Sequence, residues 1–334
     1  MNILFYCPFK FSLKSKNIKS LGGIESLNIE LTKYLANSKN KIYLATLCSK
    51  EFKRRNLINI PINKLKNKKL DFKFDKIISS NDPTIFDYSK YSENFLWLHN
   101  KLPIEKAFRK KKILSIIKNK ITAIFVSKYL LKRTTNIYNF KQKIVIPNFL
   151  DPSFYNFKPE LRRKPHFIWS VERDKGLEEV IDIWINNINP KYNKFKLFIF
   201  GINKIHLGKY NLEKLSNFNI FYKGRVRKKI LINFYKRSMG MICLGYDETF
   251  CLNAIEAYSC GMPIITFGYT ALSEISNKKN SFKLFNFDDI PKRLIQIANM
   301  NFKSRKKVIY NCINFSSKYH LDLIFSKWSK LINK

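Results

Sequence analysis

Acidic side chains are scarce in this 334-residue sequence, which has 24 aspartate and glutamate residues against 63 lysine and arginine residues. The resulting formal net charge of +39 attracts anionic partners and invites an interpretation as a nucleic-acid-binding protein. The lysines, however, are spread over the whole length, and no motif of interleaved basic and aromatic residues stands out. The charge therefore indicates a general compositional bias, and no specific nucleic-acid partner is expected.

Long apolar runs are also absent. No run approaches the roughly 20 residues that a membrane-spanning helix requires, so the sequence predicts no such helix. Residues 1–7 lack the basic start and the small-residue cleavage site of a signal peptide, and their apolar pattern predicts a buried strand instead. These observations predict a cytoplasmic protein, with the inner face of the membrane as an alternative location.

Cysteine is sparse and scattered. No two of the six cysteines form a Cys-x2-Cys pair, the spacing that is typical of zinc sites and redox motifs. They are Cys7, Cys48, Cys243, Cys251, Cys260 and Cys312. Because most of them fall in apolar segments, we expect reduced thiols in the core rather than disulfides or a metal site.

Short apolar segments, by contrast, recur along the chain. Because 45% of the residues are hydrophobic, a chain of this length can form two ordinary cores, and two domains are expected. In the first half, strands are predicted at 2–7, 41–47, 76–79, 95–99, 122–126 and 143–146, and helices at 24–36, 104–118 and 128–138. In the second half, strands are predicted at 166–170, 196–200, 219–222, 241–244 and 264–267. This alternation predicts an α/β fold with mostly parallel, doubly wound sheets.

Domain boundaries follow from composition. Residues 158–165 are polar and bounded by proline, which is typical of a linker. We therefore expect an N-terminal domain over residues 1–157 and a C-terminal domain over residues 158–302. A helical segment over residues 303–334 completes the chain.

The most informative stretch runs from residue 246 to residue 263. It follows an apolar strand, and its own pattern predicts a helix over 250–260 that Gly261 closes and Pro263 stops. A strand-to-helix turn presents backbone N–H groups and the positive end of a helix, which together favour a ligand phosphate. The stretch therefore predicts an anion site at the carboxyl edge of a sheet.

Two carboxylates accompany this anion site. Glu248 precedes the predicted helix, and Glu256 lies about one to two turns along it. Carboxylates repel phosphate but pair well with vicinal hydroxyls, so one glutamate could hold a transferred sugar and the other a nucleotide ribose. In the structural alternative, Glu248 is only a negative charge that the helix dipole stabilises, and Glu256 lies on a solvated face of the helix.

Five motifs in order resemble a known family. They are Gly22-Gly23-Ile24-Glu25, Val126-Ser127 with Ile146-Pro147-Asn148-Phe149-Leu150-Asp151, Arg173-Asp174-Lys175-Gly176-Leu177, Tyr222-Lys223-Gly224-Arg225-Val226, and the stretch with Glu248 and Glu256. Together they resemble the retaining GT-B glycosyltransferases, in particular the group 1 type of family 4, with its Glu-x7-Glu signature. The resemblance covers nearly the whole chain. It implies two doubly wound Rossmann-like domains facing across a cleft, with the C-terminal helical segment crossing back to the first domain.

The resemblance also implies a site for a nucleotide-sugar donor. Glu248 would hold the donor sugar and Glu256 the ribose. The diphosphate would be bound by Arg173, Lys175 and the backbone N–H groups of Thr249, Phe250, Cys251 and Leu252. The remaining implied donor-site residues are Gly22 and Gly23 near the phosphates, and Gly224 and Arg225 near the base. The implied catalytic residues are Glu248, His99, Arg173 and Lys175.

Each of these residues has a structural alternative. The pair Gly22-Gly23 fits an ordinary turn, and it is not the Gly-x-Gly-x-x-Gly pattern of dinucleotide enzymes. Arg173 and Lys175 fit a solvated turn before a helix. His99 ends an apolar strand, where a lone histidine is more often structural.

Two features depart from the family pattern. Thr249 and Cys251 stand where relatives usually carry glycines, and residues 267–271 replace a glycine-rich loop. The extra side chains would narrow the choice of donor or, in the other interpretation, abolish turnover.

The function implied is transfer of a hexosyl-type group from a nucleotide sugar to a hydroxyl of a saccharide or lipid-linked acceptor. Retention of configuration, independence of metals and cofactors, and a role in surface polysaccharide or lipopolysaccharide synthesis belong to this interpretation. The alternative is a catalytically silent, basic GT-B protein that binds nucleic acid or an anionic polymer, which gives the two glutamates no role. A third interpretation is hydrolysis or epimerisation of the same donor.

A basic segment stands out over residues 104–120, where residues 109–112 are all arginine or lysine among apolar neighbours. This pattern is typical of a sheet-packing helix with a solvated basic face. It also fits a basic amphipathic helix that contacts an anionic membrane surface peripherally, and the two interpretations do not exclude each other.

Overall fold

The computed structural model of the chain describes residues 1–13, 21–37, 39–66, 73–88, 92–110, 112–155, 157–170, 175–201 and 210–333. The chain divides into two compact units. Unit 1 comprises Met1–Phe149 and Leu321–Lys334, and unit 2 comprises Leu150–His320. The sequence places the boundary between residues 157 and 158, whereas this division lies between residues 149 and 150.

Unit 1 is built on an eight-stranded sheet in its described residues. The strands β1–β8 are Asn2–Tyr6, Lys41–Thr46, Phe52–Arg54, Leu57–Pro61, Lys76–Ser80, Glu93–Leu98, Ile121–Phe125 and Gln142–Val145. The helices α1–α5 are Gly23–Leu35, Ile62–Lys66, Ile104–Arg109, Lys112–Lys118 and Lys128–Lys132. Short 3-10 helices lie at Pro83–Tyr88 and Asn136–Tyr138.

Unit 2 is built on a six-stranded sheet in its described residues. The strands β9–β14 are Lys164–Ser170, Lys196–Phe200, Ile220–Gly224, Ser238–Ile242, Ile264–Thr266 and Ser281–Lys283. The helices α6–α12 are Leu177–Ile183, Leu212–Leu215, Lys228–Arg237, Leu252–Ser259, Leu272–Ile275, Asp289–Ala298 and Phe302–Ser316. A π turn at Trp184–Ile188 extends α6, and 3-10 helices lie at Pro152–Phe154, Ser216–Phe218 and Ser317–Tyr319.

Both sheets reverse their winding beside their first strand. The strand order is β3-β4-β2-β1-β5-β6-β7-β8 in unit 1 and β11-β10-β9-β12-β13-β14 in unit 2. All neighbours are parallel except β3 and β4. At such a reversal the connections leave on opposite sides, which opens a crevice at the carboxyl ends of the two strands. The two reversal points, β1/β5 and β9/β12, are where the fold favours ligand binding.

The C-terminal helix α13, Leu321–Ile332, belongs to unit 1 because one stripe of its surface is buried there. Trp328 is fully buried and packs edge to face against Trp97 of β6, with ring centroids 4.8 Å apart. The buried residue Lys76 donates from Nζ to the carbonyl oxygen of Leu331 over 3.3 Å. No helix in the described part of the chain has both the length and the apolar character to cross a bilayer.

The predicted strands are all present, and the doubly wound parallel architecture is confirmed. Three strands were not predicted, namely the edge pair β3 and β4 and the three-residue β14. The helix predicted over 104–118 is divided into α3 and α4, and that predicted over 128–138 ends at Lys132 before a 3-10 turn.

The linker predicted over 158–165 is wrong in its second half. Arg163 is 8% exposed, and its guanidinium donates to the carbonyl oxygens of Tyr235 at 3.0 Å, Ser238 at 2.8 Å and Cys260 at 2.6 Å. Burial lowers the pKa of this guanidinium to about 10, which leaves it charged at neutral pH. A composition typical of linkers therefore conceals an arginine that fixes three backbone segments of unit 2.

Truncation of Trp328 tests the role of α13. We expect Trp328→Ala to lower the free energy of unfolding of unit 1 by about 3–5 kcal/mol, because it leaves a large cavity against Trp97. The measurement is chemical denaturation, in which unfolding of unit 1 is monitored by hydrogen exchange of the backbone amides of β5 and β6. Leu323→Ala on the exposed side of the same helix is the control and should change stability by less than about 0.5 kcal/mol. Equal effects of the two variants would contradict this packing.

Candidate functional site

The loop between β12 and α9 lies at the winding reversal of unit 2 and carries Glu248. Three of its residues, Gly245, Asp247 and Cys251, have positive φ angles of 97°, 53° and 68°. A Cβ atom on Gly245 would lie 2.9 Å from Leu272 Cδ1, so this position requires glycine for space as well as for backbone conformation. The chain therefore makes a tight, irregular approach to the start of α9.

A neighbouring segment supports this loop. The Thr270 hydroxyl donates to the carbonyl oxygen of Gly245 over 2.7 Å, and the Ala271 N–H donates to the carbonyl oxygen of Glu248 over 3.3 Å. These residues belong to 267–271, the segment that departs from the glycine-rich pattern of the resembling family. In this chain the segment holds the Glu248 loop by side-chain and backbone hydrogen bonds.

Glu248 forms an ion pair with Lys175. The Lys175 Nζ atom lies 2.5 Å from Glu248 Oε1, and the two side chains are 19% and 14% exposed. Lys175 follows the end of β9, the strand next to β12, so the reversal of the sheet brings the two residues together. Both were predicted to bind the donor. Their direct pairing was not predicted.

Gly176 makes this pairing sterically feasible. Its φ is 93°, and a Cβ atom there would lie 2.7 Å from Leu244 Cδ1 and 3.3 Å from a ring carbon of Tyr246. The absence of a side chain lets the segment after β9 lie against the end of β12. Arg173, the other predicted phosphate ligand of this segment, lies outside the described residues.

Glu256 lies half-buried on α9, eight positions after Glu248 in the sequence. Burial raises the pKa of its carboxyl to about 7, with Lys228 opposing the shift and Asp151 adding to it. The Lys228 ammonium forms an ion pair with the Asp151 carboxylate. The partial burial of Glu256 and the charged pair near it argue against the alternative of a fully solvated face.

Asp151 is held ionised by the same arrangement. Burial works against its charge, but Lys228 and the hydrogen bonds from Ser153 together lower the pKa of its carboxyl below the ordinary value. The Ser153 N–H donates to Asp151 Oδ1 over 2.9 Å, which caps a 3-10 turn. Both Asp151 and Lys228 are distant from Glu256 along the chain, so no local sequence pattern associates them with it.

The start of α9 is tied to the neighbouring strand. Asn253 donates from Nδ2 to the carbonyl oxygen of Ser170, the last residue of β9. Thr249 and Phe250 precede the helix, Cys251 is its N-cap and Leu252 its first residue. Phe250 is buried and packs edge to face against Tyr319, with ring centroids 5.6 Å apart. The hydrogen bond of Asn253 was not predicted. An asparagine in the first turn of a helix is the signal that could have indicated it, because its side chain can donate to a neighbouring backbone carbonyl.

Cys251 occupies a glycine-like backbone conformation with its thiol buried. Its Sγ atom lies 3.4 Å from that of Cys243, and both cysteines are free. The contact with Cys243 and the burial of the thiol raise the pKa of Cys251 well above its ordinary value, so it stays a neutral thiol. The burial of Cys251 and of four other cysteines agrees with the expectation that most of them lie in the core. Among the described residues, no group of three or more His, Cys, Asp or Glu side chains could hold a metal ion.

The remaining predicted residues are more scattered. Gly224 is buried with a φ of 62° at the end of β11, two strands from β9, and the adjacent Arg225 is exposed. In unit 1, Gly22 is the N-cap of α1, and Gly23 is its first residue. A Cβ atom on Gly22 would lie 2.4 Å from Glu25 Oε2.

His99 follows β6 in unit 1 and is 4% exposed. Its backbone N–H donates to Asn81 Oδ1 over 2.8 Å, and its ring packs against Trp97 with centroids 4.4 Å apart. Burial lowers the pKa of its imidazole to about 3, so the ring is neutral at physiological pH.

Comparisons with known proteins bear on the fold of the chain and find one family profile that matches within unit 2. The profile of the family described as "Glycosyl transferases group 1" matches residues 155–315. This range contains Lys175, Glu248 and Glu256. No curated protein sequence matches the chain.

Three solved structures illustrate the likeness in fold. Sucrose-phosphate synthase from Thermosynechococcus elongatus aligns with a TM-score of 0.76 at 14% identity, covering 99% of this chain and 98% of that one. WaaG, a glycosyltransferase involved in lipopolysaccharide biosynthesis, gives 0.72 at 11% identity over 98% of both chains. HepE of Anabaena, solved in complex with UDP and glucose, gives 0.73 at 12% identity over 99% of both chains.

These neighbours share two Rossmann-like parallel sheets with the present chain, over nearly its full length. The chain thus has the GT-B fold, and its residues 155–315 match the profile of the group 1 glycosyl transferases.

Proposed function

We propose that this protein transfers a hexosyl-type group, with retention, from a nucleotide sugar to a hydroxyl group of a saccharide or lipid-linked acceptor. The proposed setting is the synthesis of a surface polysaccharide or lipopolysaccharide. The observation that carries the proposal is the Lys175–Glu248 pair at the winding reversal of unit 2, inside the segment that matches the group 1 family. The structures of HepE with UDP and glucose and of WaaG in lipopolysaccharide biosynthesis support the choice of substrates.

Lys175 and Glu248 have complementary tasks in this proposal. A diphosphate leaving group gains negative charge in the transition state, and a fixed ammonium at the end of β9 stabilises that charge without a metal ion. The Glu248 carboxylate accepts hydrogen bonds from hydroxyls of the donor sugar. Their 2.5 Å contact holds both groups in place before the donor arrives. Arg173 is proposed as the second cation.

Glu256 is proposed to hold the ribose. A carboxylate accepts two hydrogen bonds from vicinal hydroxyls, and it does so only when it is ionised. With a pKa of about 7, Glu256 is partly protonated before the donor binds, which reduces its repulsion of the nearby diphosphate. Hydroxyl donors on the bound ribose favour the charged form.

Retention is proposed to follow from attack on the face that the diphosphate leaves. The bond between the anomeric carbon and the diphosphate oxygen breaks, a new bond to the acceptor oxygen forms, and the acceptor proton passes to the departing diphosphate. The leaving group thereby serves as the base. The buried, neutral His99 is proposed to orient a hydroxyl group of the donor sugar or of the acceptor by a hydrogen bond.

Nucleotide binding tests this proposal most simply. UDP or a UDP-sugar at about 100 times its dissociation constant should add roughly 2.7 kcal/mol to the stability of the protein, without added metal. The measurement is the melting temperature across a panel of nucleotides and nucleotide sugars. Glu256→Ala should lose this response, whereas Glu213→Ala, at an exposed position of unit 2, should retain it.

Other outcomes of the panel discriminate between functions. Stabilisation by nucleic acid or polyphosphate that fades with salt, with no response to any nucleotide, would indicate the silent binding protein. Nucleotide release that is unchanged by every acceptor would indicate hydrolysis or epimerisation.

The pH dependence of nucleotide binding tests the role of Glu256. Because its pKa is raised to about 7, its charged form is populated as the pH rises through that value. The affinity of the wild type for UDP, divided by that of Glu256→Gln, should therefore rise between pH 6 and pH 8 and level off above. Taking the ratio cancels the titration of UDP itself. A constant ratio would contradict the assignment of Glu256 to the ribose.

We also propose that the surface of α3 and α4 contacts an anionic membrane peripherally. Phe108, Leu114 and Ile117 are 72%, 68% and 57% exposed. The neighbouring Arg109 and Lys110 are exposed as well. Apolar side chains beside basic ones suit the boundary of an anionic leaflet, where each basic residue contributes about 1 kcal/mol.

Vesicle binding tests this contact. The wild type should cosediment with vesicles that contain phosphatidylglycerol, should bind phosphatidylcholine vesicles weakly, and should be released by salt. Phe108→Ser combined with Leu114→Ser should weaken binding, whereas Phe285→Ser, 69% exposed on unit 2, should leave it unchanged. Binding that is equal for all variants would assign the effect to net charge alone.

A further inference from the structure

A cavity of about 200 Å³ lies at the winding reversal of unit 1, where the carboxyl ends of β1, β5 and β6 meet. Its lining includes four lysines, Lys101, Lys106, Lys110 and Lys112, and a single carboxylate, Asp82. The position is the one at which doubly wound sheets bind ligands. The charge of the lining indicates that the ligand is an anion.

The single carboxylate of the cavity is already neutralised. Lys112 Nζ lies 3.3 Å from Asp82 Oδ1 and donates to the carbonyl oxygen of Asn81 over 2.9 Å. The same Asp82 oxygen accepts hydrogen bonds from the N–H and the hydroxyl of Thr84, at 3.3 and 3.0 Å. Lys112 and Asp82 thus fix the loop after β5, and the charge of Asp82 is balanced within that loop.

Lys106 and Lys110 supply the excess positive charge of the cavity lining. They lie one helical turn apart, Lys106 in α3 and Lys110 as its C-cap, and both are exposed. Within the described part of the chain, neither ammonium group has an acidic partner. Lys101 lies with Nζ 5.9 Å from the centroid of the Tyr129 ring. Two ammonium groups on one rim match an anion of more than one charge.

Asn81 supplies an independent observation. Its φ of 60° places it in the left-handed region, and its Oδ1 accepts the N–H groups of His99 at 2.8 Å and Asn100 at 3.2 Å. Its Nδ2 atom is buried without a hydrogen-bond partner among the described residues. Asn81 lines the cavity, and a buried amide donor without a partner is costly.

We infer that this cavity binds the phosphate group of a phosphorylated acceptor, through Lys106, Lys110 and the Asn81 amide. The inference rests on the proposed function, because it names the class of the acceptor. A phosphate offers several acceptor oxygens and up to two negative charges, which suits two point-charge lysines and one amide donor. A cavity of about 200 Å³ accommodates a phosphate with roughly one sugar or polyol unit attached.

Chemical labelling of lysines tests the site directly. The purified protein is acetylated briefly with an amine-reactive ester in the presence of glucose 6-phosphate, or of glucose with sodium chloride at equal ionic strength. Mass spectrometry then gives the extent of modification of each lysine. We expect several-fold protection of Lys106 and Lys110 by glucose 6-phosphate alone, with no protection of Lys118 or Lys132 nearby. Uniform protection, or none, would overturn the inference.

Vesicles distinguish a soluble phosphate from a lipid headgroup. Phosphatidylglycerol vesicles should protect Lys118 as well as Lys106 and Lys110 when the whole surface of α3 and α4 contacts the bilayer. Protection of Lys106 and Lys110 by vesicles but not by glucose 6-phosphate would overturn the inference of a phosphorylated acceptor.

Variants separate this site from the donor site. Lys106→Gln combined with Lys110→Gln should weaken glucose 6-phosphate binding about tenfold or more, and Lys118→Gln combined with Lys132→Gln should not. Asn81→Asp keeps the acceptor oxygen for His99 and Asn100 but replaces the amide donor with a negative charge, so it should also abolish binding. Thermal stabilisation by UDP should persist in all of these variants.

Failure of each proposal has a distinct signature. Phosphate binding unaffected by the cavity variants overturns the site, whether or not UDP binds. Absence of any UDP response in the wild type refutes the donor assignment, even when the cavity binds phosphate.

Discussion

The ion pair between Lys175 and Glu248 reconciles two opposed requirements of this fold. The start of α9 favours a phosphate, yet a carboxylate beside it repels one. A lysine 2.5 Å from that carboxylate offsets the repulsion, and in the proposed function it also binds the diphosphate. The pair exists only because the sheet reverses between β9 and β12, and because Gly176 and Gly245 let two loops approach closely. The position of Glu256 depends on the same loop, because the loop leads directly into α9, which carries Glu256.

Much of the fold could be predicted from local patterns. Strands that are buried in a parallel sheet are continuous apolar runs, so β1, β7 and β10 were evident in the sequence. β3 and β14 have three residues each, too few for a pattern to emerge. β4 has five residues, but the polar Asn59 at its centre and Pro61 at its end interrupt the apolar pattern. The buried position of Arg163 could not be predicted, because its three carbonyl partners are 72 to 97 positions away in the sequence.

The candidate site, like the fold, has some residues that local sequence patterns predict and others that they do not. Glu248, Glu256 and Lys175 were found because each lies in a local motif, but their electrostatic partners come from distant segments. Lys228 and Asp151 influence Glu256 only through the folding of unit 2. The lysines at the cavity of unit 1 could not be predicted for a different reason. In a chain with a net charge of +39, lysines are so frequent that no particular cluster stands out in the sequence. Only the loop after β5, with Asp82 neutralised and the Asn81 amide unsatisfied, distinguishes Lys106 and Lys110 from the rest.

The most direct test of the account is acceptor-dependent release of nucleotide from a nucleotide sugar, without metal, in the wild type and in Glu248→Gln. The anomeric configuration of the product is followed by NMR. The account predicts that release requires the acceptor, that the product retains the donor configuration, and that Glu248→Gln loses turnover while still binding UDP. An inverted product, or full activity in Glu248→Gln, would contradict it.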